Sequence, residues 1–199
     1  MLMRYGWLLV TMFLLVTAAA DAEKVLSTGT KVWFKAGSAP EQYEVVWNEE
    51  EDEGEPMVHL RSIDPDSAPG FGTVMRNLAA DHLRGERVRL SGEVKAEQVD
   101  NWAGLWLRVD RRDGRRPHGF DNMHDRPIRG TTGWSHHEVI VDVAEDAESL
   151  AMGFLLNGAG RLSVRNLQLE VVGQNFPVTG RGNGTGQPAE PMNLSFDGK

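Results

Sequence analysis

The feature that most constrains the fold is a repeated alternation of apolar and polar residues between positions 31 and 172. The alternating runs are short and are separated by turn residues about every ten to fifteen positions, a pattern typical of antiparallel sandwiches and barrels. Side chains two apart lie on the same face of a strand, so each run has one apolar face that needs a second sheet to cover it. The clearest apolar faces are those of Val88, Leu90, Gly92 and Val94; of Ala103, Leu105, Leu107 and Val109; and of Val139, Val141 and Val143.

Two local departures from this alternation carry predictions of their own. In the run RLSVRNLQLEVV the apolar phase shifts near Arg165 and Asn166, which predicts a β-bulge there. The stretch from Arg76 to Leu83, RNLAADHL, is the one plausible helical turn, and Gly85 would end it.

The chain of 199 residues has room for one ordinary domain between two terminal segments. Residues 1–22 combine a basic start, an unbroken apolar run and a small-residue end, which predicts a secretory signal peptide cleaved after Ala20 or Ala22. The apolar run is shorter than the roughly 20 residues that a membrane-spanning helix needs. Residues 23–172 are the predicted sandwich. Residues 173–199 are rich in Gly and Pro and predict a flexible tail, although the closing MNLSFDGK reads as a strand of another module or one that folds back.

Charge and composition exclude several classes of function. The chain has no Cys, which excludes disulfides, thiolate chemistry and Cys-ligated zinc. Its formal net charge of -8 repels phosphate backbones, so we expect no nucleic acid partner. The acidic segment NEEEDEGE at 48–55 lacks the spaced ligands of a cation loop and predicts a solvated loop.

The order of these segments resembles the galactose-binding-like jelly rolls, which include many carbohydrate-binding modules. The resemblance rests on GFGTVMRNLAADHLRGERVRLSGEVKAEQVDNWAGLWLRVD and above all on TGWSHHEVIVDVAEDAESLAMGFLLNGAGRLSVRNLQLE. In that second stretch an adjacent Gly-Trp, at Gly133 and Trp134, leads through alternating strands to a last strand ending in Leu-x-Leu-Glu. The resemblance spans roughly residues 31–172 and implies an all-β, antiparallel jelly-roll β-sandwich, a fold that serves sugar binding, protein binding and structural roles alike.

The polar stretch FDNMHDRP, residues 120–127, allows three interpretations besides ligand binding. A metal could use Asp121, Asn122, His124 and Asp125, but zinc and calcium sites normally show a different ligand spacing. A hydrolase could use Asp110 and Asp121 as paired carboxylates if the sheet set them across a groove. A structural loop would have Asp121 or Asn122 bond its own backbone while Arg126 bridges to a carboxylate.

A ligand-binding face is predicted on the strand NWAGLWLRVD. Trp102, Trp106, Arg108 and Asp110 share one face of that strand, opposite the aliphatic face that lines the core. Sugars combine an apolar C–H face with hydroxyl groups, and therefore suit an aromatic plane beside Arg and Asp. The alternative is that Trp106 fills a second layer under a loop. Trp134, at the entry to a strand, is predicted to pack in the core.

These observations predict an exported, non-catalytic binding module, secreted or periplasmic, for a glycan or cell-envelope polymer. The predicted ligand-binding residues are Trp102, Trp106, Arg108, Asp110, Asp121, Asn122 and Arg126. A protein-binding scaffold domain of the envelope is the first alternative, and a glycoside hydrolase is the second. We expect no cofactor, leaving open a structural calcium near Asp64–Ser67, and no membrane span once the signal peptide is removed.

Overall fold

Nearly all regular structure in the computed structural model is antiparallel β-strand. The structure describes residues 33–47, 56–64, 66–179 and 192–193. The predicted signal peptide and the acidic segment lie outside these residues. The strands are β1 (Phe34–Gly37), β2 (Tyr43–Trp47), β3 (Met57–Ser62), β4 (Phe71–Ala79), β5 (Arg87–Arg111), β6 (Gly119–Asp121), β7 (Ile128–Asp142), β8 (Ala147–Asn157), β9 (Arg161–Val172) and β10 (Met192–Asn193), with one 3-10 turn at Pro40–Gln42.

Two sheets form the sandwich, and the long strand β5 runs through both. The first half of β5 pairs with β7 and β9, and β9 pairs in turn with β3, which pairs with β2; we call this layer sheet one. The second half of β5 pairs with β6 and β8, and β8 pairs with β4, which pairs with β1; we call this layer sheet two. The predicted all-β sandwich is therefore confirmed.

The core lies between the two sheets and contains the predicted apolar faces. In the first half of β5 the even positions Val88, Leu90 and Val94 point inward, whereas the odd positions Leu105, Leu107 and Val109 do so in the second half. All of these side chains are fully buried. The inward face changes at the corner near Gln98, where φ is +53°.

The β8–β9 hairpin packs closely against this corner. A Cβ on Gly160 would lie 2.8 Å from the Cα of Val99 and from the carbonyl oxygen of Gln98. Asp100 N donates a hydrogen bond to the Ala159 carbonyl oxygen at 3.1 Å. Gly160, the second glycine in NGAG, is therefore required by the close approach of two backbones.

The predicted bulge is confirmed and the predicted helical turn is wrong. Between the pairs Ser91–Gln168 and Glu93–Arg165, β9 contains one residue more than β5, and Asn166 has φ +52°. Residues 76–79 belong to β4 instead of a helix, because they complete the ladder with β8 up to the Ala79–Ser149 pair. A single helical turn is marginal in isolation, so sheet pairing overrides its local propensity.

The first part of the predicted tail is anchored to sheet one. Arg87 Nη1 donates hydrogen bonds to the carbonyl oxygens of Gln174 and Phe176, at 3.1 and 2.7 Å. The Thr179 backbone N–H donates to the Ile140 carbonyl oxygen at 2.9 Å. Residues 173–179, which we call the strap, are thus part of the packed structure. β10 pairs with Gln168 and Leu169 of β9, as expected of a strand that folds back.

A buried ion pair lies beneath the strap. Arg87 Nε donates to Asp142 Oδ1 at 2.7 Å and Nη2 donates to Oδ2 at 3.1 Å, and the two side chains are 10% and 3% exposed. The two strap carbonyls accept from Nη1 of Arg87. A buried ion pair is tolerated when its remaining polar atoms are hydrogen-bonded in this way.

The FDNMHDRP stretch forms a self-bonded loop between β6 and β7. Asp121 Oδ1 accepts the Met123 backbone N–H at 2.8 Å, and both Asp121 oxygens accept from the Arg126 guanidinium. Arg126 also donates to the Glu138 carbonyl oxygen at 3.1 Å, and Asn122 Oδ1 accepts from His124 N at 3.2 Å. This is the structural interpretation of the loop, in which Asp121 acts as a polar staple.

The staple shifts the ionisation of its carboxylate. Burial alone raises the pKa of Asp121, but the Arg126 guanidinium, the Thr179 hydroxyl and the Met123 backbone N–H outweigh burial and hold the pKa below its ordinary value.

The Arg87–Asp142 pair predicts a large cost of truncation. Asp142→Ala leaves a buried guanidinium without its carboxylate, so we expect the free energy of unfolding to fall by about 3 to 5 kcal/mol in urea denaturation. Glu44→Ala is the matched control, because Glu44 and Arg61 form an ion pair whose side chains are 49% and 45% exposed. Its expected cost is below about 1 kcal/mol. Equal losses from the two variants would contradict the account.

The staple predicts a pH-dependent contribution to stability. The pKa of Asp121 is lower in the folded chain than the unfolded value of about 4, so its stabilisation is present at neutral pH and is lost as the pH falls through the folded pKa. Asp121→Asn should lower the unfolding free energy by about 1.5 to 3 kcal/mol at pH 7, and the difference from wild type should shrink below about pH 4. Asp125→Asn is the control, because Asp125 bonds the same guanidinium but its side chain is 76% exposed. A loss independent of pH would count against the staple.

Candidate functional site

A second apolar cluster lies outside the core, on the outer face of sheet two. It consists of the buried residues Trp106, Ala151 and Leu155, with Phe71, Met75 and Trp102 packed partly buried around them. We call these six residues the outer patch. Since the core occupies the other face of the same strands, the outer patch is a separate apolar surface.

Cross-strand register explains how the outer patch is assembled. Phe34 of β1 lies opposite Met75 of β4, Met75 lies opposite Gly153 of β8, and Gly153 lies opposite Trp106 of β5. A Cβ on Gly153 would lie 2.0 Å from the Val74 carbonyl oxygen, so only glycine fits the close approach of β4 and β8. The aromatic rings of Phe34 and Trp106 therefore lie on one row across four strands.

Trp106 forms the base of the outer patch. Its indole Nε1 donates to Thr73 Oγ1 at 2.8 Å, and Thr73 Oγ1 donates to the Phe154 carbonyl oxygen at 2.7 Å. The side chain is only 6% exposed. The prediction that Trp106 faces away from the core is confirmed. Because so little of its ring is exposed, most contacts with a ligand would be made by the more exposed rings around it.

Exposed aromatic residues flank the outer patch on both sides. Phe34 is 38% exposed on β1, and Phe120 is 43% exposed on β6, directly opposite Arg108. Trp102 is partly buried and meets the ring of His124 edge to face, with centroids 5.4 Å apart. Phe34 and Phe120 were not among the predicted site residues, because their place on this face depends on which strands pair with which.

Arg108 and Asp110 form an ion pair on the same face. Arg108 Nε and Nη2 donate to the two Asp110 oxygens at 2.7 and 3.0 Å. Their side chains are 42% and 29% exposed, so both remain accessible from solvent. The predicted grouping of Trp102, Trp106, Arg108 and Asp110 on one face is what the structure shows.

The loop residues differ from this group. Both carboxylate oxygens of Asp121 and both terminal nitrogens of Arg126 are engaged in the staple, and Asp121 is 6% exposed. Asn122 bonds the loop backbone. The loop reaches the outer patch through His124, which lies against Trp102, whereas Met123 is buried in the core. A ligand contact by Asp121, Asn122 or Arg126 stays a prediction.

The arrangement does not support paired carboxylates for hydrolysis. Asp121 lies opposite Leu107, whose side chain points into the core, whereas Asp110 lies on the outer face with Arg108. The two carboxylates therefore belong to opposite faces of sheet two. The low pKa of Asp121 is also the reverse of what a general acid requires.

The metal sites considered from the sequence have the following geometry. Within the described ranges, no group of three or more His, Asp or Glu residues is placed to hold a metal ion. At the turn near Asp64, where the sequence is compatible with a structural calcium ion, Asp64 Oδ1 accepts the Asp66 backbone N–H at 2.9 Å.

The prediction that Trp134 packs in the core is wrong. This partly buried ring belongs to neither apolar cluster, and its centroid lies 4.4 Å from the Arg165 guanidinium carbon.

Comparison with known sequences identifies a related bacterial protein. No protein-family model matches the chain. A Bacillus subtilis (strain 168) protein named as an HTH-type transcriptional regulator, YbfP, is 34% identical over 176 residues, which are 88% of this chain and 59% of that protein. The chain thus spans less than two thirds of this relative. The described residues include no α-helix, so a helix-turn-helix has no counterpart among them.

Solved structures with a similar fold include several carbohydrate-binding modules. The CBM22-1–GH10 modules of Clostridium thermocellum xylanase 10B, complexed with xylohexaose, match with a TM-score of 0.50 and 10% identity over 76% of this chain and 28% of theirs. The CBM22-1 xylan-binding domain from Paenibacillus barcinonensis Xyn10C matches with a TM-score of 0.48 and 14% identity, covering 73% of this chain and 89% of that one. Identities this low bear on the fold alone. The chain has the jelly-roll-like β-sandwich fold found in carbohydrate-binding modules.

Proposed function

We propose that the protein is a non-catalytic glycan-binding module whose ligand lies along the outer patch of sheet two. The observation that carries this proposal is the second apolar cluster, separate from the core and bordered by the exposed rings of Phe34 and Phe120. An apolar patch outside the core, bordered by exposed rings and a few polar groups, is typical of a binding surface.

The chemistry of the patch suits a sugar polymer. The C–H faces of sugar rings pack on aromatic and aliphatic side chains, for which Phe34 and Phe120 offer exposed rings and Trp102 a partly buried one. Arg108 has five N–H donors, of which two bond Asp110. The remaining donors of Arg108 and the free lone pairs of Asp110 can form hydrogen bonds with ligand hydroxyls. The Arg108–Asp110 ion pair already holds both side chains in place for this contact.

The charge of the protein supports a neutral polymer over a polyanion. A formal net charge of -8 opposes binding of a nucleic acid or of a strongly acidic polysaccharide. The proposal of a non-catalytic role is supported by the separation of Asp110 and Asp121 onto opposite faces of sheet two.

Export to the periplasm or the medium is part of the proposal and rests on the pattern of residues 1–22. Among the described residues there is no helix long and apolar enough to cross a membrane.

The related B. subtilis protein favours a second candidate function. Its name describes a transcriptional regulator and its similarity covers 88% of this chain. In a longer regulatory protein, a sandwich of this kind would serve as the domain that recognises a ligand. The same outer patch would then bind the signal.

The binding proposal predicts a selective loss of affinity. Trp102→Ala and Arg108→Ala should each weaken binding by about 1 to 3 kcal/mol, because each removes a ring contact or a charge-assisted hydrogen bond. Affinity gel electrophoresis with xylan, galactan, β-glucan and peptidoglycan fragments measures this loss, and melting temperatures show whether each variant remains folded.

Matched controls are available on sheet one. Arg61→Ala removes an exposed arginine that is paired with Glu44, as Arg108 is with Asp110, and Ile63→Ala removes an apolar side chain that is 61% exposed. Both controls should bind as wild type does. Binding to none of the polymers, or equal losses in the controls, would overturn the proposed function.

Export predicts a defined N-terminus. When the full chain is expressed in a Gram-negative host, we expect the protein in the cell envelope or the medium, with its mature N-terminus at Asp21 or Glu23. N-terminal sequencing or intact mass measures this directly. A cytosolic protein that retains Met1 would contradict export and favour the regulatory candidate.

A further inference from the structure

A charged cavity lies at one end of the sandwich, where three turns meet. It is formed by the turn between β4 and β5, the turn between β5 and β6, and the turn between β7 and β8. Its volume is about 340 Å³, within the range of small-ligand sites, and its lining residues are Arg84, Arg111, Arg112, Asp113, Glu145 and Asp146. We call it the turn cavity.

One part of the lining is fixed by internal hydrogen bonds. Arg84 Nε donates to the Ala147 carbonyl oxygen at 2.8 Å, and its Nη2 lies 2.9 Å from Asp81 Oδ1. Asp113 Oδ1 accepts the Arg115 backbone N–H at 3.1 Å. These contacts give the walls a defined shape.

The guanidinium of Arg111 has only some of its N–H donors hydrogen-bonded. Its Nη2 donates to Asp146 Oδ2 at 3.3 Å, while its Nε lies 3.4 Å from Asp113 Oδ1 and has no hydrogen-bond partner although it is buried. Asp146 is shared, because its Oδ1 lies 2.6 Å from His118 Nε2. A buried N–H donor without a hydrogen-bond partner is costly, and the ion pair with Asp113 offsets part of that cost.

Two further lining groups have no ion-pair partner within the described part of the chain. These are the Arg112 guanidinium and the Glu145 carboxylate, both on exposed turn residues. Glu145 lies close to Gly85, where a Cβ would be 2.6 Å from its Oε1, so glycine at this position leaves room for the carboxylate. The cavity therefore offers an unpaired cation and an unpaired anion together.

The charges of the lining determine the kind of ligand. Three arginines and three carboxylates sum to zero, so neither a simple anion nor a simple cation is favoured by the overall field. A ligand with both a carboxylate and an ammonium group would pair with Arg111 and Arg112 on one side and with Glu145 on the other. We propose that the turn cavity binds a small zwitterion, of the amino acid or short-peptide class. This site is distinct from the outer patch and does not depend on the proposed glycan binding.

Titration of the isotope-labelled full chain with glycylglycine, followed by ¹H–¹⁵N NMR, tests the proposal. We expect saturable shifts at residues 111–113 and 145–146, with a millimolar Kd. N-acetylglycine, which lacks the ammonium group, and glycinamide, which lacks the carboxylate, should each bind about tenfold more weakly, since each loses one charged pair.

Variants separate this cavity from general surface binding. Arg112→Gln and Glu145→Gln should each weaken glycylglycine binding about tenfold, because each removes one charge from an exposed turn without disturbing the core. The matched controls are Arg129→Gln and Glu41→Gln, which change exposed residues elsewhere and should bind as wild type does. No saturable shift, binding of either blocked compound as tight as that of glycylglycine, or equal effects in the controls would overturn the proposal. Glycan binding by the outer patch would be unaffected by that result.

Discussion

The structure depends on one strand that belongs to both sheets. β5 is 25 residues long, and its inward face changes from even to odd positions at the corner near Gln98. This change keeps an apolar face toward the core in both halves of the strand. It also places Trp102, Trp106, Arg108 and Asp110 together on the outer face of sheet two. Without the change of phase, the tryptophans would point inward and Leu105 and Leu107 outward.

Buried polar contacts hold the parts of the sandwich that strand pairing does not. The Arg87–Asp142 pair fixes the strap across sheet one, Thr179 bonds the strap to Ile140 of β7, and the Asp121–Arg126 pair orders the loop between β6 and β7. The same loop supports the outer patch from one side through His124. A polar network within the scaffold therefore positions one border of the proposed binding face, although its members lie away from that face.

Alternation along each run was sufficient to predict the sandwich, the core faces of β5 and β7, and the shared face of Trp102 to Asp110. It also predicted the bulge, because an extra residue in one strand shifts the apolar phase of every residue that follows it. It failed at Arg76–Leu83, where long-range pairing with β8 decided the structure. Trp134 was misplaced because residue type alone does not show that an arginine will cover an outward ring.

The flanking rings required knowledge of three-dimensional neighbours. Phe34 and Phe120 join the face only because β1 and β6 lie on either side of it, and strand order is not contained in local alternation. The two residues that order the loop, Asp121 and Arg126, were recognised as candidates, and the structure shows the contacts that the structural interpretation required. The turn cavity was not predicted, because it combines three turns that are distant in sequence.

The central claim is that ligand binds on the outer face of sheet two, and tryptophan indole signals test it most directly. In ¹H–¹⁵N spectra recorded during titration with a polysaccharide that the protein binds, the Trp102 indole signal should shift most. The signal of Trp106, whose indole is hydrogen-bonded to Thr73, should shift less. Trp134, on sheet one beneath Arg165, should not move. Shifts confined to Trp134, with Trp102 and Trp106 unchanged, would place binding on the other sheet and contradict the account.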